Sequence, residues 1–161
     1  MDKKTISIVV PCYNEEGNVQ NMADSIRALF NNELKNYSYE IIFIDNDSKD
    51  NTKNIIRRIC ESDKDVKAIF NAKNFGQFNS PYYGILQSNG DATVLIACDF
   101  QDPVEVIPDF IKAWEEGYKI AIGIRKKSTD NFIMGFFKKI YYDLSKKFSN
   151  VDQIKMFTGF G

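Results

Sequence analysis

The sequence predicts an α/β domain built on a mostly parallel sheet with helices on both faces. Short β-branched apolar runs alternate along the chain with helical patterns and polar turn clusters, which is the rhythm of strand, loop and helix units. The runs are also apolar almost throughout, as strands buried on both faces of a parallel sheet require.

Thr5 to Val10 (TISIVV) is the first such run, and Pro11 is expected to end it. Asn14-Glu15-Glu16-Gly17-Asn18 then supplies caps and early acids for a helix with Val19, Met22, Ile26, Leu29 and Phe30 on one face. Tyr39 to Ile44 is the second strand. Asp45 to Thr52 (DNDSKDNT) opens a helix with Ile55, Ile56 and Ile59 inward. Val66 to Phe70, a helix from Gln77 to Asn89, and the strand Ala92 to Cys98 follow. A helix from Val104 to Glu116, with Pro103 before it and Gly117 after it, leads to a fifth strand, Tyr118 to Ile124, and a last helix from about Phe132 to Phe148. Ligands of such sheets bind beyond the carboxyl ends of the strands. The polar clusters Pro11 to Glu16, Asp45 to Asp50 and Asp99 to Glu105 lie on that edge.

Composition narrows the chemistry. With 161 residues, 43% hydrophobic and 27% charged, the chain suits one soluble domain able to bury a core without disulfides. A net charge of −1 argues against a nucleic-acid partner, and the absence of histidine removes the usual general base and zinc ligand. Carboxylates, amides or an oxygen-held metal remain. Three scattered cysteines, Cys12, Cys60 and Cys98, and the lack of an apolar leader point to a reducing, cytoplasmic setting. The apolar and glycine-rich ending, Phe157 to Gly161, suggests a chain cut short at its C-terminus.

Two segments carry candidate chemistry. Asp99 and Gln101 leave a predicted strand at alternate positions, so two oxygen ligands can point the same way toward Mg²⁺ or Mn²⁺; Asp99 and Asp102 equally suit capping of the next helix. The Asp45 cluster reads as helix capping or as acceptors for a base or ribose. No GxGxxG follows the first strand and no GxxxxGK[ST] occurs, so the dinucleotide-fold and P-loop phosphate cradles are missing.

Taken together, Ser7 to Glu16 (SIVVPCYNEE), Tyr39 to Ser48 (YEIIFIDNDS), Lys73 to Gly76 (KNFG), Asp99 to Pro103 (DFQDP) and Gly123 to Arg125 (GIR) resemble the family 2 glycosyltransferases of the GT-A fold, in particular the polyprenyl (dolichyl) phosphate sugar synthases. The resemblance spans nearly the whole chain. It implies one catalytic domain over residues 1–161 that transfers a sugar with inversion from a UDP- or GDP-linked donor, with Mg²⁺ or Mn²⁺. The acceptor it implies is a polyprenyl phosphate or a cell-surface glycan, at the inner face of a membrane. By the same resemblance Pro11, Tyr13 and Glu15 border the nucleotide, Asp45 and Asn46 meet the base, and Asp47 and Asn74 join the donor site. Asp99 and Gln101 hold the metal, and Arg125 faces the phosphates. Two positions depart from the family pattern: Ala97 stands where a first aspartate is common, and Asn46 where a second adjacent aspartate is common. A donor-binding module without turnover and a nucleotide-binding regulator are the alternative readings. No residue is assigned as general base. The helix at Phe132 to Phe148, with Lys138, Lys139, Lys146 and Lys147 among aromatic residues, suits packing on the sheet or a membrane interface.

Overall fold

The computed structural model describes residues 3–124 and 161. Arg125, the expected last helix and residues 156–160 lie outside them. The chain divides into two compact units, Met1–Ala121 with Phe160–Gly161, and Ile122–Gly159, and the sheet belongs to the first.

Four strands, β1 (Thr5–Cys12), β2 (Ser38–Asp45), β3 (Val66–Phe70) and β4 (Ala92–Leu95), form one sheet in the order β3-β2-β1-β4, and every pairing is parallel. Successive residues of each strand bury on opposite faces. Ile6, Ile8, Val10, Ile41 and Phe43 join a large core under α1 (Val19–Asn32), α2 (Thr52–Ser62) and α4 (Ile107–Glu115). Val9, Ile42 and Ile44 face the other way under α3 (Gly76–Leu86). Gly84 lets α3 settle there, because a Cβ at that position would lie 2.8 Å from Val9 Cγ1 and 3.2 Å from Ile44 Cγ2. Helices therefore cover both faces, as expected.

Five details differ from the sequence reading, beginning with β4, which was expected to run to Cys98 and ends at Leu95. Pro11 does not end β1: it pairs with Ile44 inside the strand. β4 stops pairing at Leu95 opposite Val9, with Ile96 N–H still donating to Val9 O at 3.0 Å, so β1 has no neighbour on that side at Pro11 and loses no ladder bond there. The helix expected from Gln77 to Asn89 ends at Leu86, since the Asn89 N–H is taken by Glu40 Oε1 at 2.7 Å. The helix expected from Val104 begins as a 3₁₀ turn, Val104–Val106, and turns α-helical at Ile107; Pro108 has no N–H with which to continue an α-helical ladder back to Val104. The fifth strand does not form over 118–123, and only Ile124 makes a bridge. At the free edge of β4, Leu95 and Gly161 instead exchange N–H···O bonds of 2.8 and 3.4 Å.

The opposite, amino end of the sheet holds a buried polar cluster. Glu40 accepts from Ser7 Oγ at 2.5 Å, from Asn89 N at 2.7 Å and from Lys67 Nζ at 2.6 Å, and Ser7 Oγ accepts from Gly90 N at 2.8 Å. Burial pushes the Glu40 carboxyl up, but its bonds from Lys67, Ser7 and Asn89 outweigh that and hold it below its ordinary value.

Candidate functional site

The strand order locates the site. From β1 the chain moves to β2 and β3 on one side, then crosses back to place β4 on the other, so the carboxyl ends of β1 and β4 flank the crevice at the switch point. Because β1 runs to Cys12 while β4 stops at Leu95, the end of β1 extends past its pairing with β4 at that switch point.

The loops after β1 and β2 are joined by five side-chain-to-backbone bonds. Asn14 N–H donates to Ser48 Oγ at 2.8 Å and Lys49 N–H to Asn14 Oδ1 at 2.8 Å. Glu15 N–H donates to Thr52 Oγ1 at 2.8 Å, Glu16 N–H to Asp50 Oδ2 at 3.1 Å, and Asn51 N–H to Glu16 Oε2 at 2.8 Å. The polar residues of the second loop thus mainly tie it to the first. Asn51, at the cap of α2, makes no side-chain capping bond, although Asp50 Oδ1 accepts from Thr52 N at 3.0 Å. From the sequence Ser48, Thr52 and Asn14 read only as cap and turn residues: their partners lie more than thirty residues away, and turn composition carries no signal of a distant partner.

Asp45 ends β2 fully buried and pairs in register with Cys12. Its Oδ2 accepts from Ser48 N at 3.1 Å, with Lys53 Nζ at 3.9 Å, while its Oδ1 is buried and has no hydrogen-bond partner among the described residues. A buried acceptor left unpaired costs about 1–3 kcal/mol, which sets this atom apart from the satisfied polar groups around it. Burial pushes the neighbouring Cys12 thiol well up, with Cys98 and the carboxylates of Asp45 and Glu15 acting in the same direction. Both cysteines are buried free thiols.

Asn46 is buried and uses its whole side-chain amide inside the protein. Its Nδ2 donates to Asn74 Oδ1 at 3.0 Å and to Gly76 O at 3.2 Å, and its Oδ1 accepts from Phe75 N at 2.9 Å and Asn71 Nδ2 at 3.2 Å. A direct contact with a base would require release of one of these bonds. Asn71, the first residue past β3, was missed in the sequence although its place at the carboxyl edge could have flagged it. Asp47, with φ +67°, pairs with Lys49 at 2.5 Å and Lys53 at 2.9 Å, whose hydrogen bonds hold its carboxyl below the ordinary range. Tyr13 is half-exposed next to Cys12, and Glu15 Oε2 accepts from Asn18 Nδ2 at 2.7 Å.

Asp99 and Gln101 do not continue a strand. Residues 98–102 form turns and bends, and Phe100 has φ +56°, so Asp99 and Gln101 are not alternate residues of a strand; instead Gln101 N–H folds back to Asp99 Oδ1 at 3.1 Å. Among the described residues no trio of His, Cys, Asp or Glu side chains could hold a metal by itself. A magnesium-like ion bound largely through substrate phosphates and water needs only one or two protein carboxylates, and the exposed Asp99 fits that requirement. No described helix is long and apolar enough to cross a membrane.

Comparison with known proteins agrees with this architecture. Residues 7–158 match the model of glycosyl transferase family 2. The chain is 37% identical over 146 residues to a prophage bactoprenol glucosyl transferase homolog of Escherichia coli, and 37% identical over 145 residues to the bactoprenol glucosyl transferase of Shigella phage SfV. These alignments cover 90% and 89% of this chain but 47% of each relative, so the chain spans about half the length of the curated relatives it matches. Among solved structures, a mannosyltransferase of Pyrobaculum calidifontis in complex with GDP-Man and Mn²⁺ superposes with a TM-score of 0.60 at 18% identity, over 78% of this chain and 37% of that one. That likeness concerns the fold, which is the GT-A arrangement expected from the sequence. Since the family match runs through β1, the Asp45 loop and the Asp99 turn without leaving out an element of the crevice, the chain belongs to glycosyltransferase family 2.

Proposed function

We propose that the chain binds a nucleoside-diphosphate sugar at the carboxyl end of β1, β2 and β4 and serves as the donor side of an inverting transfer to a polyprenyl phosphate at a membrane surface. Residues 1–161 then form one catalytic domain or the donor part of it. The observation that carries this reading is Asp45 Oδ1, a buried acceptor without a partner at the switch-point edge. A carboxyl oxygen accepts hydrogen bonds, so this atom suits a base edge that presents an N–H, such as the ring N–H of uracil or guanine. Pro11, Tyr13, Glu15, Asp47 and Asn74 border the same edge, and the polyprenyl acceptor follows the names of the relatives.

Asp99, with Gln101, is proposed to hold Mg²⁺ or Mn²⁺ together with the donor diphosphate. Such an ion supplies Lewis-acid stabilisation of the negative charge that develops on the leaving nucleoside diphosphate. Arg125 is proposed for the same phosphates on its sequence position alone. A phosphate acceptor is already ionised, so it needs little help from a general base.

The test is thermal-shift and calorimetric titration of the chain with UDP, GDP and CDP, each with and without Mn²⁺. UDP or GDP is expected to raise the transition only with metal, since ligand bound to the native state stabilises by mass action, about 2.7 kcal/mol at a hundredfold excess over Kd. Asp99→Ala should abolish the metal requirement together with the shift. Equal response to all three nucleotides, or to none, overturns the donor reading. Release of nucleoside diphosphate from a sugar donor in the presence of polyprenyl phosphate vesicles then separates a transferase from a binding module.

A further inference from the structure

The segment between β3 and α3 hangs from the end of β2. Its first residue, Asn71, donates its N–H to Asp45 O at 2.9 Å and its side chain to both Asn46 Oδ1 at 3.2 Å and Ser80 Oγ at 2.9 Å. Its last residues, Asn74, Phe75 and Gly76, are all bonded to the Asn46 amide, and Gly76 takes a φ of +87° that side chains rarely adopt. Asn46 N–H in turn donates to Cys12 O at 2.9 Å. Asn46, through its backbone N–H and its side-chain amide, thus joins the ends of β1, β2 and β3 and the first turn of α3, one residue past Asp45.

The chemistry is specific to an amide. The contacts to Asn74 Oδ1 and Gly76 O need a donor, while those from Phe75 N and Asn71 Nδ2 need an acceptor, and only Asn or Gln offers both on one planar group. An aspartate in the same place has the shape but no hydrogen to give, and would set its oxygen against two other acceptors.

We propose that Asn46 is a positioning residue for the donor site: it latches the Asn74–Gly76 segment to the end of β2, so that Asp45 and this segment meet a nucleotide as one preformed surface. The proposal rests on the donor reading above, and it replaces the direct base contact that the sequence suggested for Asn46.

The experiment measures two quantities on the full chain and on the variants Asn46→Ala, Asn74→Ala and the double variant. The first is amide hydrogen exchange at Phe75, which needs no ligand and whose N–H is held by Asn46 Oδ1, an acceptor that alanine removes and aspartate would keep. Exchange there should accelerate at least tenfold in Asn46→Ala while the amides of β1 and β2 keep their rates; unchanged protection at Phe75 overturns the latch. The exposed Asn74→Ala cuts one of the same bonds from the outer side, so a failure of Asn46→Ala to fold leaves the question decidable. The second is affinity for UDP and GDP with Mn²⁺. Each single variant should weaken binding about tenfold and the double variant no further than the weaker single one. Effects that multiply would mean that Asn46 touches the nucleotide itself and would overturn the positioning role. If the unmodified chain binds neither nucleotide, the donor reading fails, while exchange at Phe75 still decides the latch.

Discussion

The two ends of the sheet solve opposite problems with similar residues. At the amino end the buried Glu40 has a donor on each oxygen, from Ser7, Asn89 and Lys67. At the carboxyl end the buried Asp45 keeps one oxygen without any. Backbone conformation divides the same way. Asn14, Asp47 and Phe100, the described non-glycine residues with positive φ, all lie in loops that follow the carboxyl ends of β1, β2 and β4. Asn and Asp adopt this conformation readily, but at Phe100 it costs about 1–2 kcal/mol and persists where surrounding structure over-determines it, typically at functional sites. A satisfied carboxylate with relaxed backbone fixes strand register, whereas the unsatisfied one sits among left-handed turns at the edge proposed for the donor.

The sharpest way to break this comparison is to remove one carboxylate at each end. Glu40→Ala leaves Lys67, Ser7 and Asn89 with lost partners and should lower the free energy of unfolding by roughly 3 kcal/mol, with little change in nucleotide affinity per folded molecule. Asp45→Asn should do the reverse: stability within about 1 kcal/mol, but nucleotide binding weakened tenfold or more, the value of a charge-assisted hydrogen bond of about 1.5–3 kcal/mol. Denaturant unfolding and calorimetric titration on the same two proteins decide it. Loss of stability in both, with affinity unchanged, would make Asp45 a structural group.

Gly90→Ala sharpens the amino-end half. A Cβ there would lie 2.7 Å from Ser7 Oγ, 2.7 Å from Thr5 O and 2.8 Å from Ser7 N, and two of these atoms are backbone that cannot step aside. The substitution should cost about 1–3 kcal/mol, as overpacking does, and should also expose the Gly90 N–H that now donates to Ser7. Unchanged stability would mean that the start of β1 tolerates displacement, and that the Glu40 cluster does not set its position.

Much of this was legible in the sequence because it depends on local pattern. The apolar runs gave β3 to the residue and β1, β2 and their helices to within a few positions, and the polar clusters marked the carboxyl edge. What escaped depends on partners far along the chain. Glu40 is simply part of the second strand, with no role of its own, until Asn89 is brought to it, and that same bond ends α3 earlier than its pattern suggests. Asn46 reads as a base contact until the segment after β3 occupies both sides of its amide. The Asp99 motif was correctly placed at the edge, but its geometry was not, since the early end of β4 turns a strand into a bend. The fifth strand failed for a related reason: apolar residues at 118–124 have strand character, but the edge of β4 pairs at Leu95 with Gly161.

The smallest expected effect concerns pH and tests whether charge or packing holds the amino end. Burial alone would raise the Glu40 carboxyl, yet Lys67, Ser7 and Asn89 hold it below its ordinary value of 4.5, so the folded chain releases this proton more readily than the unfolded chain. Between the lowered value and 4.5 the unfolded state therefore binds more protons, and stability rises with pH across that window. The contribution is fully present above the window and is lost as the pH falls through the folded value. Other carboxylates act in the same direction, among them Asp63, which burial raises but Arg27 pulls down further, so a single acid-unfolding curve cannot isolate Glu40. The difference between the unmodified chain and Glu40→Gln can, because the variant keeps the shape and drops the titration. Unfolding in urea at a series of pH values should give a difference that is constant in the neutral range and shrinks on acidification below the ordinary carboxylate value. A constant difference throughout would mean that Lys67 and Ser7 stabilise the protonated and ionised carboxyl alike, and the amino end would then owe its hold on the sheet to shape and hydrogen bonding rather than to the ion pair.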